Sequence, residues 1–213
     1  MLWRLAMRNI WRNRRRTLLT LSAMIVSSAL LILALGIFSG MLKDMLASAT
    51  EQYFGHLVIS ARGYQDDHDM FAHFAADEQL QHILPQEQLL GYSPRLRSFG
   101  LLSHQHNSSP AELLGVLPEQ EQTVTSLQEH LTVGEYLRPV DRDGAVIGSG
   151  LARRLGVVPG DQLVFVTQAA DGSIGNDLLQ VRGIFSTGDR GHDNGLVLVP
   201  RGWPQQLLVL PGG

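Results

Sequence analysis

Thr17–Met41, TLLTLSAMIVSSALLILALGIFSGM, is a run of twenty-five residues without one formal charge. The head before it, MLWRLAMRNIWRNRRR, carries six arginines (Arg4, Arg8, Arg12, Arg14, Arg15, Arg16) and no acid. At 1.5 Å per residue, a helix of that length rises about 37 Å, more than the ~30 Å hydrocarbon core of a bilayer. Clustered arginines beside a spanning segment stay in the cytoplasm, which puts the N-terminus inside and everything after Met41 outside. The chain therefore reads as one transmembrane helix followed by an exported domain.

The charge balance agrees with that division. Seventeen Lys and Arg stand against twenty Asp and Glu, for a net −3. Six of those cations lie in the head, so the remainder holds eleven against twenty, a balance of −9. Such asymmetry points to a membrane and not to nucleic acid, because neutralising phosphates takes clustered cations that an acidic exported domain lacks. Roughly 160 residues follow the helix, enough for one or two compact units with a real core. The sequence has no cysteine, which excludes a disulfide framework and a thiolate metal site.

Two export signals compete with a retained anchor. Ala47-Ser48-Ala49 has the small residues of a signal-peptidase site, and Arg14-Arg15-Arg16 before an apolar stretch has a twin-arginine look. A signal h-region is only about 7–15 residues long, far shorter than this run. The retained anchor is the better reading.

Within the head, Arg4, Arg8 and Arg12 recur at i, i+4 and i+8, interleaved with Leu2, Trp3, Leu5, Ile10 and Trp11. That spacing lines the arginines along one helical face and places the tryptophans at headgroup level. It can be a topology signal only, but it fits better an interfacial helix on anionic lipid that bends into the membrane near Asn13. Inside the span, Ser22, Ala29 and Gly36 recur every seven residues, and Gly36 and Gly40 form a small-xxx-small pair. Small residues on one stripe let a second helix backbone approach closely. Neither Pro nor Gly interrupts the chain from Met41 to Gly55, so the helix is predicted to run on for about three turns. This extension is either a simple stalk or a rod that transmits motion.

The exported part is predicted as mixed α/β, making the whole chain α+β. Strands are expected at residues 56–60, 95–103, 111–116, 145–147 and 196–199, with a hairpin of residues 162–167 and 178–185 around Asp171-Gly172-Ser173. Residues 66–74 read as a polar loop, and 75–84 as a helix broken by Pro85. Pro118 is expected to open a helix through Leu131, and a last short helix covers 203–210. Ser149 is expected to cap a helix that ends at Gly156.

No catalytic, cofactor or metal site is expected. Asp66, Asp67, His68, Asp69 and His73 crowd one segment and His104-Gln105-His106 another, yet His68 and His73 are five apart and no HExxH-like spacing occurs. Acidic, His-bearing loops are usually solvated surface. Gly148-Ser149-Gly150 could be mistaken for a nucleophile turn, but its place between a strand and Leu151-Ala152-Arg153-Arg154-Leu155 suits a helix start.

The opening LAMRNIWRNRRRTLLTLSAMIVSSALLIL resembles the start of the permease subunits of lipoprotein-releasing and macrolide-exporter ABC systems, the LolC/LolE, MacB and FtsX group. GHLVISARGY from Gly55 and GVLPEQEQTV from Gly115 are similar to segments of that group's periplasmic core domain. So are GAVIGSGLARRLGVVPGDQLVFVTQAADGSIGNDLLQVRGIFSTG from Gly144 and LVLVPRGWPQQLL from Leu196. The likeness implies a basic interfacial segment at 1–16, a transmembrane helix with its extension at 17–54, and a MacB-like periplasmic core domain at 55–213. It also implies a bacterial inner-membrane location. The implied partners are membrane lipid, a separate or fused ABC ATPase, a second permease copy or paralogue, and a lipoprotein or periplasmic carrier. Nucleotide chemistry would lie on the partner, not on this chain. Family permeases continue into three further helices; this chain stops at Gly213, so the resemblance implies a shortened polypeptide with an incomplete core domain. The rival from another class is a single-pass, membrane-anchored periplasmic scaffold or sensor without transport. An exported hydrolase ranks last, for want of a nucleophile.

Overall fold

The computed structural model describes residues 11–49, 57–61, 64, 73–74 and 91–209. The chain divides into two compact units, Met1–Ser48 and Ala49–Gly213. The first is built on one helix, α1 (Arg14–Ala49), 36 residues long and therefore about 54 Å from end to end. Trp11 and Arg12 are helical too, and the helix is interrupted by a turn at Asn13, where the sequence suggests a bend. The most apolar 18-residue stretch within Arg14–Lys43 has a mean hydropathy of 2.4, and the large side chains of the helix are bare, Leu19 and Ile32 each 70% exposed. A helix whose apolar side chains are exposed on every side among the described residues needs lipid or other helices around it. The helix runs beyond Met41 to Ala49, as its composition predicts; residues 50–56 lie outside the described part.

The second unit is a seven-stranded sheet that closes on itself. Its strands are β1 (Leu96–His104), β2 (Asn107–Val116), β3 (Leu131–Gly134), β4 (Gly144–Gly148), β5 (Gln162–Gln168), β6 (Ile174–Phe185) and β7 (Leu196–Pro200). They are ordered β3-β6-β4-β7-β2-β1-β5, and β5 also pairs with β6. Closure rests on the length of β6, 12 residues. Its first half pairs antiparallel with β5 (Val164 opposite Leu178), while its second half runs parallel to β4 (Ile147 opposite Ile184) and antiparallel to β3. A ring of this kind leaves fewer unpaired strand edges than an open sheet.

Strand alternation splits the core in two. Leu113, Ala145, Ile147, Val197 and Val199 point to one cluster, completed by Leu102, Leu163, Phe165, Leu179 and Trp203. Their neighbours Leu114, Val146, Leu196 and Leu198 point to the other, with Leu127, Tyr136, Leu137 and Phe185. Successive side chains on a strand face opposite ways, so β2, β4 and β7 are covered on both sides. This is why GAVIG and LVLV are continuous apolar runs and not alternating ones. Among the described residues, four short helices fill the connections: α2 (Pro118–Glu121), α3 (Ser149–Leu155), α4 (Arg190–Gly195) and α5 (Gly202–Leu207). Trp203 on α5 meets Phe165 edge-on, with ring centroids 6.0 Å apart.

Several expectations need correction. The helix predicted from Pro118 to Leu131 stops at Glu121, and a 3-10 turn follows at Leu127–His130. The hydroxyls of Thr123 and Thr125 bond back to Gln120 O and Glu121 O, and such local bonds compete with helix continuation. The strand expected at 56–60 is not formed at 57–61; its exposed Leu57 and Val58 gain no ladder among the described residues. Ser149 is the first residue of α3 and not its cap: Gly148 is the cap, with no side-chain bond. Gly156, with φ of 71°, ends that helix in the left-handed conformation as predicted. β2 begins at Asn107, not at 111, giving a β1–β2 hairpin with a two-residue turn at Gln105 and His106. The helix predicted at 75–84 lies outside the described residues.

Candidate functional site

Two sets of side chains stand out, one on each unit. On the first, Arg12, Arg14, Arg15 and Arg16 are all exposed, with no acid before Asp44. The Arg14 guanidinium carbon lies 4.5 Å from the centroid of the Trp11 ring, a cation–π distance. Arg4 and Arg8 lie outside the described residues. Farther along α1, Ser22, Ala29, Gly36 and Gly40 fall on one stripe, all exposed. A methyl group added at Gly36 or Gly40 would meet nothing within 4 Å, so both leave a flat, open notch. The Ser22 hydroxyl donates to Leu19 O at 3.0 Å, which satisfies it inside the helix and leaves its face smooth for packing.

On the second unit the polar groups are structural fasteners. Glu121 is fully buried yet accepts from Arg95 Nε and Nη2 at 3.0 and 2.7 Å and from Thr125 Oγ1 at 3.1 Å. A bidentate fork of this kind meets the requirement for burying a carboxylate. Tyr136 sits beside it; burial pushes its phenol well above the ordinary value, the Glu121 charge adds to the rise and Arg95 opposes it. Asp141 holds Arg182 Nη2 at 2.7 Å and the Arg138 N–H at 2.9 Å, so the turn after β3 is tied to β6.

A third network joins α3 to α4. Ser149 Oγ donates to Ser186 Oγ at 3.2 Å, Ser186 Oγ donates to Asp193 Oδ2 at 2.9 Å, and Thr187 N–H donates to Asp193 Oδ1 at 2.8 Å. Burial pushes the Asp193 carboxyl up, but the bonds from Thr187 and Ser186 outweigh it and hold the group below the usual carboxylate range. The helices approach so closely that a methyl group at Gly148 would lie 2.4 Å from Asp193 O, and one at Gly150 2.0 Å from Asn194 Oδ1. The Gly-Ser-Gly spacing therefore serves close packing. Its serine connects through Ser186 to the Asp193 carboxylate, which also holds the Thr187 N–H.

Of the histidines considered as ligands, His104 lies with Nδ1 3.4 Å from Leu155 O, which also accepts from Asn107 Nδ2 at 3.2 Å. Both bonds tie the β1–β2 turn to the end of α3. Among the described residues, no group of three or more His, Asp or Glu side chains is placed to hold a metal ion; His68 and its acidic neighbours lie outside them. The sequence did not reveal α4 or the Asp193 network. The one legible sign was Asp189, whose carboxylate caps α4 by accepting from Gly191 and His192 N–H.

Comparison with known proteins places this architecture. The family model of the MacB-like periplasmic core domain matches residues 17–210. Lipoprotein-releasing system transmembrane protein LolC from two strains of Xylella fastidiosa, Temecula1 and 9a5c, is 28% identical over 193 residues, covering 85% of this chain and 43% of each relative. The chain thus spans less than half the length of these relatives. Among solved structures, the extracellular domain of the noncanonic ABC-type transporter YknZ from Gram-positive bacteria aligns with a TM-score of 0.46 and 12% identity, over 61% of this chain and 64% of that one. A domain of a putative permease from Porphyromonas gingivalis aligns at 0.38 and 19% identity, over 63% and 55%. With the family match extending over nearly its whole length, the chain belongs to the MacB-like periplasmic core domain family of ABC-transporter permeases.

Proposed function

We propose that the chain is the N-terminal part of an ABC-transporter permease that couples ATP hydrolysis on a partner subunit to a periplasmic domain, with lipoprotein release as the transport it serves. The observation that carries this reading is an exposed, apolar helix of spanning length joined in one chain to a domain of the permease family. Permeases of this kind are not themselves enzymes, and on this reading ATP hydrolysis lies on the partner subunit. The positive head stays in the cytoplasm and the ring of strands is periplasmic, in the inner membrane of a bacterium. Arg4, Arg8 and Arg12 hold the head on anionic lipid. Ser22, Ala29, Gly36 and Gly40 receive a neighbouring helix, from the rest of a permease or from a second copy or paralogue. The extension of α1 past Met41 passes movement between the compartments. A lipoprotein or a periplasmic carrier is the partner on the outer side; the 28% identity to LolC supports that choice over a drug.

The test is Gly36→Leu with Gly40→Leu in the full permease, measured by recovery of the ATPase subunit and of the second permease on an affinity tag. Recovery is expected to fall at least about tenfold, the effect of losing about 1.4 kcal/mol of association. Unchanged recovery would remove the packing claim.

A further inference from the structure

We propose that Trp11 and Arg14 form a binding site for one anionic phospholipid at the start of α1. This deepens the membrane reading above and rests on it, since the site works only if this end of the helix lies at headgroup level. Arg14 lies 4.5 Å from the Trp11 ring centroid. Stacking on an indole uses a flat face of the guanidinium and leaves its N–H edge free to fork onto phosphate oxygens. No carboxylate of the same helix competes for it: the first acid in the sequence is Asp44, about 45 Å along the helix at 1.5 Å per residue.

The apolar half of the site adjoins the cationic half. Trp11, Arg14, Thr17, Leu18 and Leu21 line a shallow groove of ≈ 320 Å³. Trp11 and Arg14 also border a basic hollow of ≈ 540 Å³ completed by Arg12, Asn13, Arg15 and Arg16. Trp11, Arg14, Leu18 and Leu21 are spaced i, i+3, i+7 and i+10, the spacing of one helical stripe. The Thr17 hydroxyl donates to Asn13 O at 3.2 Å, so the groove floor contributes little polarity. A ligand matching this surface has a phosphate at Arg14 and an aliphatic chain running past Leu18 and Leu21. Free phosphate would leave the apolar groove unused. A zwitterionic lipid would bring its own ammonium group into a cluster that holds only cations.

The test uses the whole chain, taken up in vesicles of equimolar phosphatidylglycerol and phosphatidylcholine, released in mild detergent and weighed by native mass spectrometry. The wild type is expected to retain one phosphatidylglycerol about ten times as often as phosphatidylcholine, a preference worth about 1.4 kcal/mol. Arg14→Gln and, separately, Trp11→Leu are expected to reduce that ratio to about two. Equal retention of both lipids by the wild type, or full preference in both variants, would overturn the site. An excess of inorganic phosphate is expected to leave the bound lipid in place; displacement would show a phosphate site and not a lipid site. Alkaline carbonate extraction separates the two levels of failure. A wild-type chain washed off the membrane defeats the spanning helix itself, whereas variants that stay embedded confine the result to Trp11 and Arg14.

Discussion

Two stretches of this chain are equally apolar and end in opposite environments. Thr17–Met41 is uncharged throughout, and its leucines and isoleucines are exposed along the whole helix. The strands β4 and β7 are uncharged too, and nearly every residue in them is buried. Composition does not separate them; length and punctuation do. Five-residue runs such as Gly144–Gly148 and Leu196–Pro200 can be flanked on two edges and covered on both faces by their own chain. A run of twenty-five without a charge or a proline has no such cover among the described residues and is long enough for a bilayer to supply it.

The largest effect comes from breaking the apolar helix. Ala29→Arg with Leu33→Arg is expected to raise the free energy of membrane insertion by about 5–7 kcal/mol, on scales of about 2.5–3.5 for each mid-helix arginine. Fractionation should then find the chain outside the membrane pellet, while the closed sheet keeps its circular-dichroism spectrum. Loss of both properties together would mean that the units are not separable.

Next in size are changes to the buried side of the comparison. Phe165→Ala empties the centre of the ring against Trp203 and is expected to cost about 3–5 kcal/mol in urea unfolding. Glu121→Ala strands the Arg95 guanidinium in a largely buried position and is expected to cost about as much, 3–5 kcal/mol. Neither should change membrane retention, because neither belongs to α1. Conservative trimming of β4 is gentler: Ile147→Val is expected to cost about 0.5–1.5 kcal/mol.

The smallest effect is a pH dependence at Tyr136. Its folded-state phenol is raised above the ordinary value of 10.0 by burial and by Glu121. The unfolded chain therefore loses the proton first, so the contribution is intact below about pH 10 and fades as pH rises further. Urea midpoints from about pH 9 to about pH 11.5 should fall in the wild type, at up to about 1.4 kcal/mol per unit from this group. In Tyr136→Phe the fall should be shallower, and an identical slope would mean that Tyr136 is not the source.

Legibility followed the same physical division. The helix, β4, β7 and the β5–β6 hairpin were readable because each depends on a local pattern: an uncharged run, an apolar block, an Asp-Gly turn. The end of α3 was readable from Gly156 for the same reason. Closure of the sheet was not, because it depends on residues 174–177 extending β6 far enough to pair with β5 before the strand turns to β4 and β3. Those residues, Ile-Gly-Asn-Asp, carry little strand preference of their own. α4 was hidden because Arg-Gly-His-Asp-Asn-Gly is poor helix material, held by the Asp189 cap and by Asp193. The proposed helix-packing stripe needed no fold at all to be seen, since a seven-residue recurrence is visible in any apolar helix. The pairing of Arg14 with Trp11 is visible only in the folded structure.

The complete absence of cysteine makes the central claim, a helix that separates two compartments, directly measurable. Asn9→Cys and His106→Cys would each be introduced singly and exposed to a membrane-impermeant maleimide in cells whose outer membrane has been opened. The account predicts immediate labelling at position 106 and labelling at position 9 only after the inner membrane is lysed. Labelling of both positions before lysis, or the reverse order, would contradict it.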